Sequence, residues 1–178
     1  EAVTLIGTDL EVEISQEVAV AKVETTGSCT VTARKLLDIC RALPEGSSIS
    51  LSGQGAQLKL QSGRSRYTLQ TLSAKEYPRI EPANWATRIK LPAATLRRLF
   101  EKTAFSMAQQ DVRYFLNGVL LEFSDQQVVA VATDGHRLAR TECAVEQEAG
   151  ATQQAIVPRK AVLEMSRFLT GSDEKITM

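Results

Sequence analysis

Residues 10–20, Leu-Glu-Val-Glu-Ile-Ser-Gln-Glu-Val-Ala-Val, alternate apolar and polar positions, which is the period of a half-buried strand. Ser28–Val31, Ser48–Leu51, Gln57–Gln61 and Tyr67–Leu72 predict further strands, with Gly53-Gln-Gly55 and Ser62-Gly63 as turns between them. A meander of this kind implies an antiparallel sheet with one face on a core. Three segments change period. Across Pro92–Ala108, Leu96, Leu99, Phe100, Thr103 and Met107 recur at helical spacing behind a proline, predicting an amphipathic helix. Arg34–Leu43, with Leu36, Leu37, Cys40 and Leu43 as its stripe, and Pro158–Leu169, with Val162, Ser166 and Leu169, predict two shorter ones. Strand runs broken by a few helices give an α+β fold. Ser73–Trp85 carries Pro78 and Pro82 and no clear period, as a linker would.

The pattern also repeats. At an offset of 125 residues, Val3-Thr-Leu-Ile-Gly-Thr-Asp9 falls on Val128-Val-Ala-Val-Ala-Thr-Asp134, and Val31-Thr-Ala-Arg-Lys35 falls on Ile156-Val-Pro-Arg-Lys160. One inserted residue later, Asp38-Ile-Cys-Arg41 matches Glu164-Met-Ser-Arg167. Equal spacing between separated blocks makes coincidence a poor explanation and predicts two copies of one strand–strand–helix unit. The offset makes the chain the end of one repeat and the start of the next, with Ser73–Trp85 as the linker between them. The stretch missing before residue 1 would hold roughly 40 residues, by analogy with 87–127, and at least as many would follow Met178.

Charge changes the picture more by its placement than by its sum. The 178 residues hold 21 basic and 21 acidic side chains, so net charge selects no partner. The three predicted helices, however, hold nine of the basic residues and only three of the acidic ones. Arg34, Lys35 and Arg41 face Asp38; Arg97, Arg98 and Lys102 face Glu101; Arg159, Lys160 and Arg167 face Glu164. The remainder of the chain keeps twelve basic and eighteen acidic residues. Positive helices on a negative framework suit phosphate attraction without base readout. They equally suit an ordinary solvated helix face, since Lys and Arg are good helix formers. The three scattered cysteines, Cys29, Cys40 and Cys143, form no metal or redox motif and fit free thiols in a reducing cytoplasm.

Catalytic chemistry finds little support. His136 is the one histidine; Asp134 lies two positions away, where strand side chains stand side by side, and Glu11 takes the place of His136 in the first repeat. No phosphate-binding glycine loop and no metal-ligand spacing occurs, so neither a cofactor nor a metal is expected. Asp9 and Asp134 are expected to accept backbone N–H groups at turns. The cluster Tyr114-Phe-Leu-Asn-Gly118 follows Gln109-Gln-Asp-Val-Arg113. It fits a strand entry with one ring in the core, or a loop of Gln and Arg reaching a phosphate backbone with a ring free to stack on a base.

Three stretches make the chain resemble the bacterial sliding clamps, the beta subunit of DNA polymerase III. They are Phe105-Ser-Met-Ala-Gln-Gln-Asp-Val-Arg-Tyr-Phe-Leu-Asn-Gly118, Ala132-Thr-Asp-Gly-His-Arg-Leu-Ala139 and Ile156-Val-Pro-Arg-Lys160. Gly7-Thr-Asp-Leu-Glu11, the segment from Arg34 to Gly46 and Ser62-Gly-Arg-Ser-Arg-Tyr67 are similar to that family's first domain. The resemblance implies a non-catalytic processivity factor: a homodimeric ring of six similar domains around double-stranded DNA, helices inward and sheets outward. Residues 1–80 would be the C-terminal part of domain 1, and 81–178 the N-terminal part of domain 2, with the third domain absent. It places DNA contacts at Arg34, Gln110, Tyr114 and Phe115, with Lys35, Arg97, Arg98, Lys102, Arg159 and Lys160 joining them on the helix faces. At Phe115 the family usually carries a second Tyr, so stacking is kept there and the hydroxyl is lost. Leu116, Thr133, Gly135, His136, Arg137 and Leu138 fall on its partner-peptide cleft, where short motifs of the polymerase III catalytic subunit and the clamp loader dock. Two rivals are an enzyme built around His136 and a β-rich interaction module with no nucleic-acid role.

Overall fold

The computed structural model describes residues 1–80, 88–124, 126–145, 152–169 and 174–178. The chain divides into two compact units, Glu1–Pro82 and Ala83–Met178. Residues 81–85 of the expected linker lie outside the described residues.

In the first unit, β1 (Ala2–Thr8) and β2 (Glu13–Ala19) form an antiparallel hairpin. Residues 10–12, expected as the start of a strand, instead make its turn. The reason is local: Asp9 Oδ1 accepts from the N–H groups of Glu11 and Val12 at 3.2 and 3.1 Å, which bends the chain before alternation can continue. Helix α1 (Ala33–Ala42) follows, then the antiparallel meander β3 (Ser50–Gln54), β4 (Gln57–Ser62) and β5 (Ser65–Gln70). Alternation is clearest in β4, where Leu58, Leu60 and Ser62 are buried and Lys59 and Gln61 exposed. Leu58 lies opposite Leu69 in the register, so two apolar residues close this small core together. The expected strand at Ser28–Val31 reduces to one bridge between Thr30 and Leu72. On α1 the half-buried residues are Leu36, Ile39 and Leu43, while Leu37 and Cys40 stay exposed. The helix is thus rotated from the expected stripe, and Ile39 stands between Leu36 and Leu43 on the i, i+3, i+7 line.

The second unit has a fuller core. The sheet runs β10–β7–β8–β9, all antiparallel: β7 (Gly118–Phe123), β8 (Gln127–Thr133), β9 (Leu138–Ala144) and β10 (Gln153–Pro158). A two-stranded piece pairs β6 (Lys90–Pro92) with β11 (Lys175–Thr177). Helices α2 (Ala93–Thr103) and α3 (Arg159–Phe168) cover one face of the larger sheet. All five stripe positions of α2 and its extension, Leu96, Leu99, Phe100, Thr103 and Met107, are at most 2% exposed. Leu96, Leu99, Phe100 and Met107 meet Val119, Leu121, Val128 and Val162 in one cluster. Each fully buried side chain of this size contributes roughly 1.5–3 kcal/mol. The α-helix stops at Thr103, short of the expected Ala108, and tightens into a 3-10 turn over Ala104–Ser106. Thr103 donates its hydroxyl to the Leu99 carbonyl at 2.8 Å, which satisfies a polar group in a dry core.

The repeat is visible atom by atom at the two hairpin turns. Thr8 Oγ donates to the Val12 carbonyl at 3.0 Å and accepts from Leu10 N at 3.1 Å; Thr133 Oγ donates to the Arg137 carbonyl at 2.7 Å and accepts from Gly135 N at 3.1 Å. Asp134 Oδ1 repeats Asp9, accepting from His136 N and Arg137 N at 3.0 Å each. The third turn residue is left-handed in both copies, Gly135 at φ +88° and Leu10 at φ +77°. Leucine is strained there by about 1–2 kcal/mol, and Leu10 is 72% exposed, so little packing repays it. Leu10→Gly removes that strain against glycine's extra unfolded freedom of about 0.5–1 kcal/mol. The expected result is a small rise in melting temperature, measured by calorimetry on the full-length protein. A fall would mean that the Leu10 side chain carries packing of its own.

Candidate nucleic-acid interface and docking cleft

The turn between β8 and β9 carries most of the expected cleft residues. Asp134 spends one carboxylate oxygen on two backbone N–H groups and the other on Arg137 Nε at 2.9 Å. Donation from His136 N, then from Arg137 N and its guanidinium, holds the Asp134 carboxyl down at about 2, against an ordinary value of 3.8. What it adds to stability is therefore fully present above 3.8 and lost only as pH falls through about 2. Arg137 also lies 5.9 Å from the centre of the Phe105 ring. His136, Arg137 and Leu138 project into solvent, Leu138 at 64% exposure.

The segment 107–117 is a compact loop closed on itself. Asn117 accepts from Asp111 N at 3.0 Å and donates to the Asp111 carbonyl at 2.8 Å, and Ala108 N donates to the Leu116 carbonyl at 3.0 Å. Gln110 takes a left-handed φ of +57°. Tyr114 is 81% exposed, and it meets Phe115 edge to face with ring centres 5.9 Å apart. Between the two readings of this cluster the geometry favours the loop: neither ring enters the core. Arg113 is turned back, with Nε and Nη2 on the two carboxylate oxygens of Asp111 at 3.0 and 2.9 Å. That pairing, with the Arg113 N–H at 2.8 Å, holds the Asp111 carboxyl at about 2.

These segments border two adjoining concavities. The polar one lies between the loop and the turn and is lined by Met107, Asp111, Arg113, Asp134, His136 and Arg137. The apolar one is lined by Phe115, Leu116, Leu120, Val131, Thr133 and Ile156. The six expected cleft residues are thus divided: Leu116 and Thr133 join the apolar hollow, His136 and Arg137 the polar one. Gly135 lies under the Arg113 guanidinium and Leu138 stands opposite Thr133 in the β8–β9 register. Sequence reading missed Leu120, Val131 and Ile156, which face away from the helices. A signal existed, since Val128–Ala132 is apolar without alternation, as a strand covered on both faces would be. Gly118 sits at the rim of this hollow, where a Cβ would come within 2.5 Å of the Val157 carbonyl oxygen.

The expected DNA-facing cations differ in their freedom. Arg98 and Lys102 project from α2 on the side opposite its core stripe and form no ion pair among the described residues. Arg97 is engaged, donating to Glu101 at 2.8 Å and to the Leu169 carbonyl at 3.4 Å, which ties α2 to the end of α3. Arg159 and Lys160 are half-buried at the first turn of α3, and Arg159 reaches the Met107 carbonyl at 3.5 Å. In the first unit, Arg34 and Lys35 stand exposed on the first turn of α1. Among the described residues no cluster of His, Cys, Asp and Glu could hold a metal, and no helix is long and apolar enough to cross a membrane.

Comparison with known proteins converges on one family. The model of the DNA polymerase III beta subunit N-terminal domain matches residues 1–81, and that of its central domain matches residues 90–178. The beta sliding clamp of Escherichia coli K12 is 45% identical over 173 residues, covering 97% of this chain and 47% of that protein. The beta sliding clamp of Pseudomonas putida is 44% identical over all 178 residues, 48% of its length. A crystal structure of the DNA polymerase III beta subunit of Pseudomonas aeruginosa superposes with a TM-score of 0.94 at 43% identity, over 98% of this chain and 48% of that one. A further structure of that organism's clamp, bound to griselimycin, gives 0.91 at 43% identity over 98% of this chain and 47% of that one. The chain spans about half the length of the curated relatives it matches. Two family domains matched in order, on a chain whose halves repeat one turn hydrogen bond for hydrogen bond, have one explanation: this chain belongs to the DNA polymerase III beta subunit family, the bacterial sliding clamps.

Proposed function

We propose that the protein to which this sequence belongs is a DNA sliding clamp, a non-catalytic processivity factor that closes as a homodimeric ring around duplex DNA in the cytoplasm. Residues 1–80 then supply the C-terminal part of its first domain and 81–178 the N-terminal part of its second. Arg34, Lys35, Arg98, Lys102, Arg159 and Lys160 attract phosphates, while Gln110, Tyr114 and Phe115 reach the duplex from the loop. Leu116, Thr133, Gly135, His136, Arg137 and Leu138 belong to a cleft for short motifs of the polymerase III catalytic subunit, the clamp loader and other partners. The observation that carries this reading is a helix layer with exposed cations and no base-reading side chains, set on a sheet whose other face opens into an apolar hollow. Such a surface binds phosphate and ignores sequence.

The test is topological. Full-length protein loaded on nicked circular DNA should co-elute with the circle at salt that abolishes simple electrostatic binding, and should be released when a single cut makes the DNA linear. Release from circle and line alike would exclude an encircling ring.

A further inference from the structure

We infer that Arg113 is a positioning residue that braces the peptide-cleft turn against the DNA-facing loop, and does not contact DNA phosphate. The inference rests on the functional reading above and deepens it. By position alone Arg113 belongs with the DNA contacts, since it lies between Gln110 and Tyr114 in an exposed loop. Its geometry points the other way. The guanidinium is held by both oxygens of Asp111, at 3.0 and 2.9 Å, and its far side rests on Gly135, where an added Cβ would meet Nη2 at 3.2 Å, Nη1 at 3.6 Å and Cζ at 3.8 Å. Glycine's missing side chain leaves room for the Nη1–Nη2 edge of the guanidinium, at a left-handed φ of +88° that also favours glycine.

Asp111 occupies the Nε and Nη2 donors of Arg113 and sets an ionised carboxylate beside its charge, which weakens its pull on a phosphate. Asp111 is itself fixed, through its own N–H and carbonyl, to the Asn117 side chain. The chain of contacts Asn117–Asp111–Arg113–Gly135 therefore fixes the turn bearing His136 and Leu138 relative to the loop bearing Gln110 and Tyr114. A second link runs in parallel, from Arg137 on the turn to Phe105 at the foot of the loop. A binding site whose supporting residues are loosened loses affinity without losing any direct contact.

Arg113→Ala and Arg113→Lys, made in the full-length ring, separate brace from phosphate contact. Lysine keeps the charge but cannot span both Asp111 oxygens while setting a second nitrogen edge against Gly135. Affinity is read by anisotropy with a fluorescein-labelled peptide carrying Leu and Phe, and DNA binding by the salt dependence of association with a short duplex. Both variants should weaken the peptide by roughly threefold to tenfold, and both should keep the wild-type salt slope. A slope shallower by about 1 in the alanine variant and restored by lysine would make Arg113 a phosphate contact and overturn the brace. Unchanged peptide affinity in either folded variant overturns it as well. Asp111→Asn, which keeps the loop's backbone bonds but weakens the hold on Arg113, should lie between wild type and Arg113→Ala; wild-type behaviour there would sink the Asp111 link. If the wild-type ring itself bound no peptide, the cleft assignment would fail, and the brace with it.

Discussion

Full-length protein carrying Arg98→Glu and Lys102→Glu should lose most of its affinity for short duplex DNA at low salt, equally for every sequence tried. Each phosphate neutralised contributes about 0.9 to the slope of log K against log salt, so removing two cations flattens the slope by roughly 1.8 per chain. Charge reversal adds repulsion to that loss, and a drop of at least tenfold at low salt is expected, narrowing as salt screens both proteins. Arg97 is left in place on purpose. Its bonds to Glu101 and to the Leu169 carbonyl hold α2 against α3, and reversing it would mix a folding defect into the measurement. Arg98 and Lys102 have no such duty among the described residues. Sequence-selective loss would point to base readout, and an unchanged slope would place α2 away from DNA.

Leu138→Arg should weaken a Leu- and Phe-bearing peptide by tenfold or more, as truncating or charging an apolar anchor point commonly does, while melting temperature and DNA retention stay near wild type. Leu138 is 64% exposed, so the fold gains little from it, and it stands opposite Thr133 beside the apolar hollow of Leu116, Leu120 and Val131. Gly135→Leu, which would plug the same cleft by bulk, gives a blurred answer. It forces a branched side chain into φ +88° and drives its Cβ into the Arg113 guanidinium, whose loop also bears Gln110 and Tyr114. Turn strain, peptide site and DNA loop would all change together. A folded Leu138→Arg ring that bound the peptide normally would move the cleft elsewhere.

Local chemistry and period made much of this molecule legible from the chain alone. The helix that begins at Ala93 declared itself because Leu96, Leu99 and Phe100 at helical spacing need a core, and all three are buried, although it ends at Thr103 and not at the expected Ala108. The repeat declared itself because Thr and Asp at fixed spacing make the same turn wherever they occur; its bonds span at most four residues. Such short-range bonds depend on little beyond their own residues, so sequence spacing suffices to find them.

What reached across the chain was decided only by tertiary structure. Leu37 and Cys40 fit the periodic stripe of α1 as well as Ile39 does, yet Ile39 is half-buried while they are exposed. Arg97 and Arg98 are adjacent and chemically identical, yet packing hands one a carbonyl from α3, 72 residues away, and leaves the other to solvent. The apolar hollow draws Leu120, Val131 and Ile156 from three strands whose register aligns them, Leu120 opposite both Val131 and Ile156. Arg113 follows the same rule. Its residue type and its place in the loop suggest a phosphate, and only the approach of Gly135, 22 positions on, turns it into a brace. A side chain's neighbours within a few residues are written in the sequence, whereas its partners across the fold are set by which surfaces packing brings together.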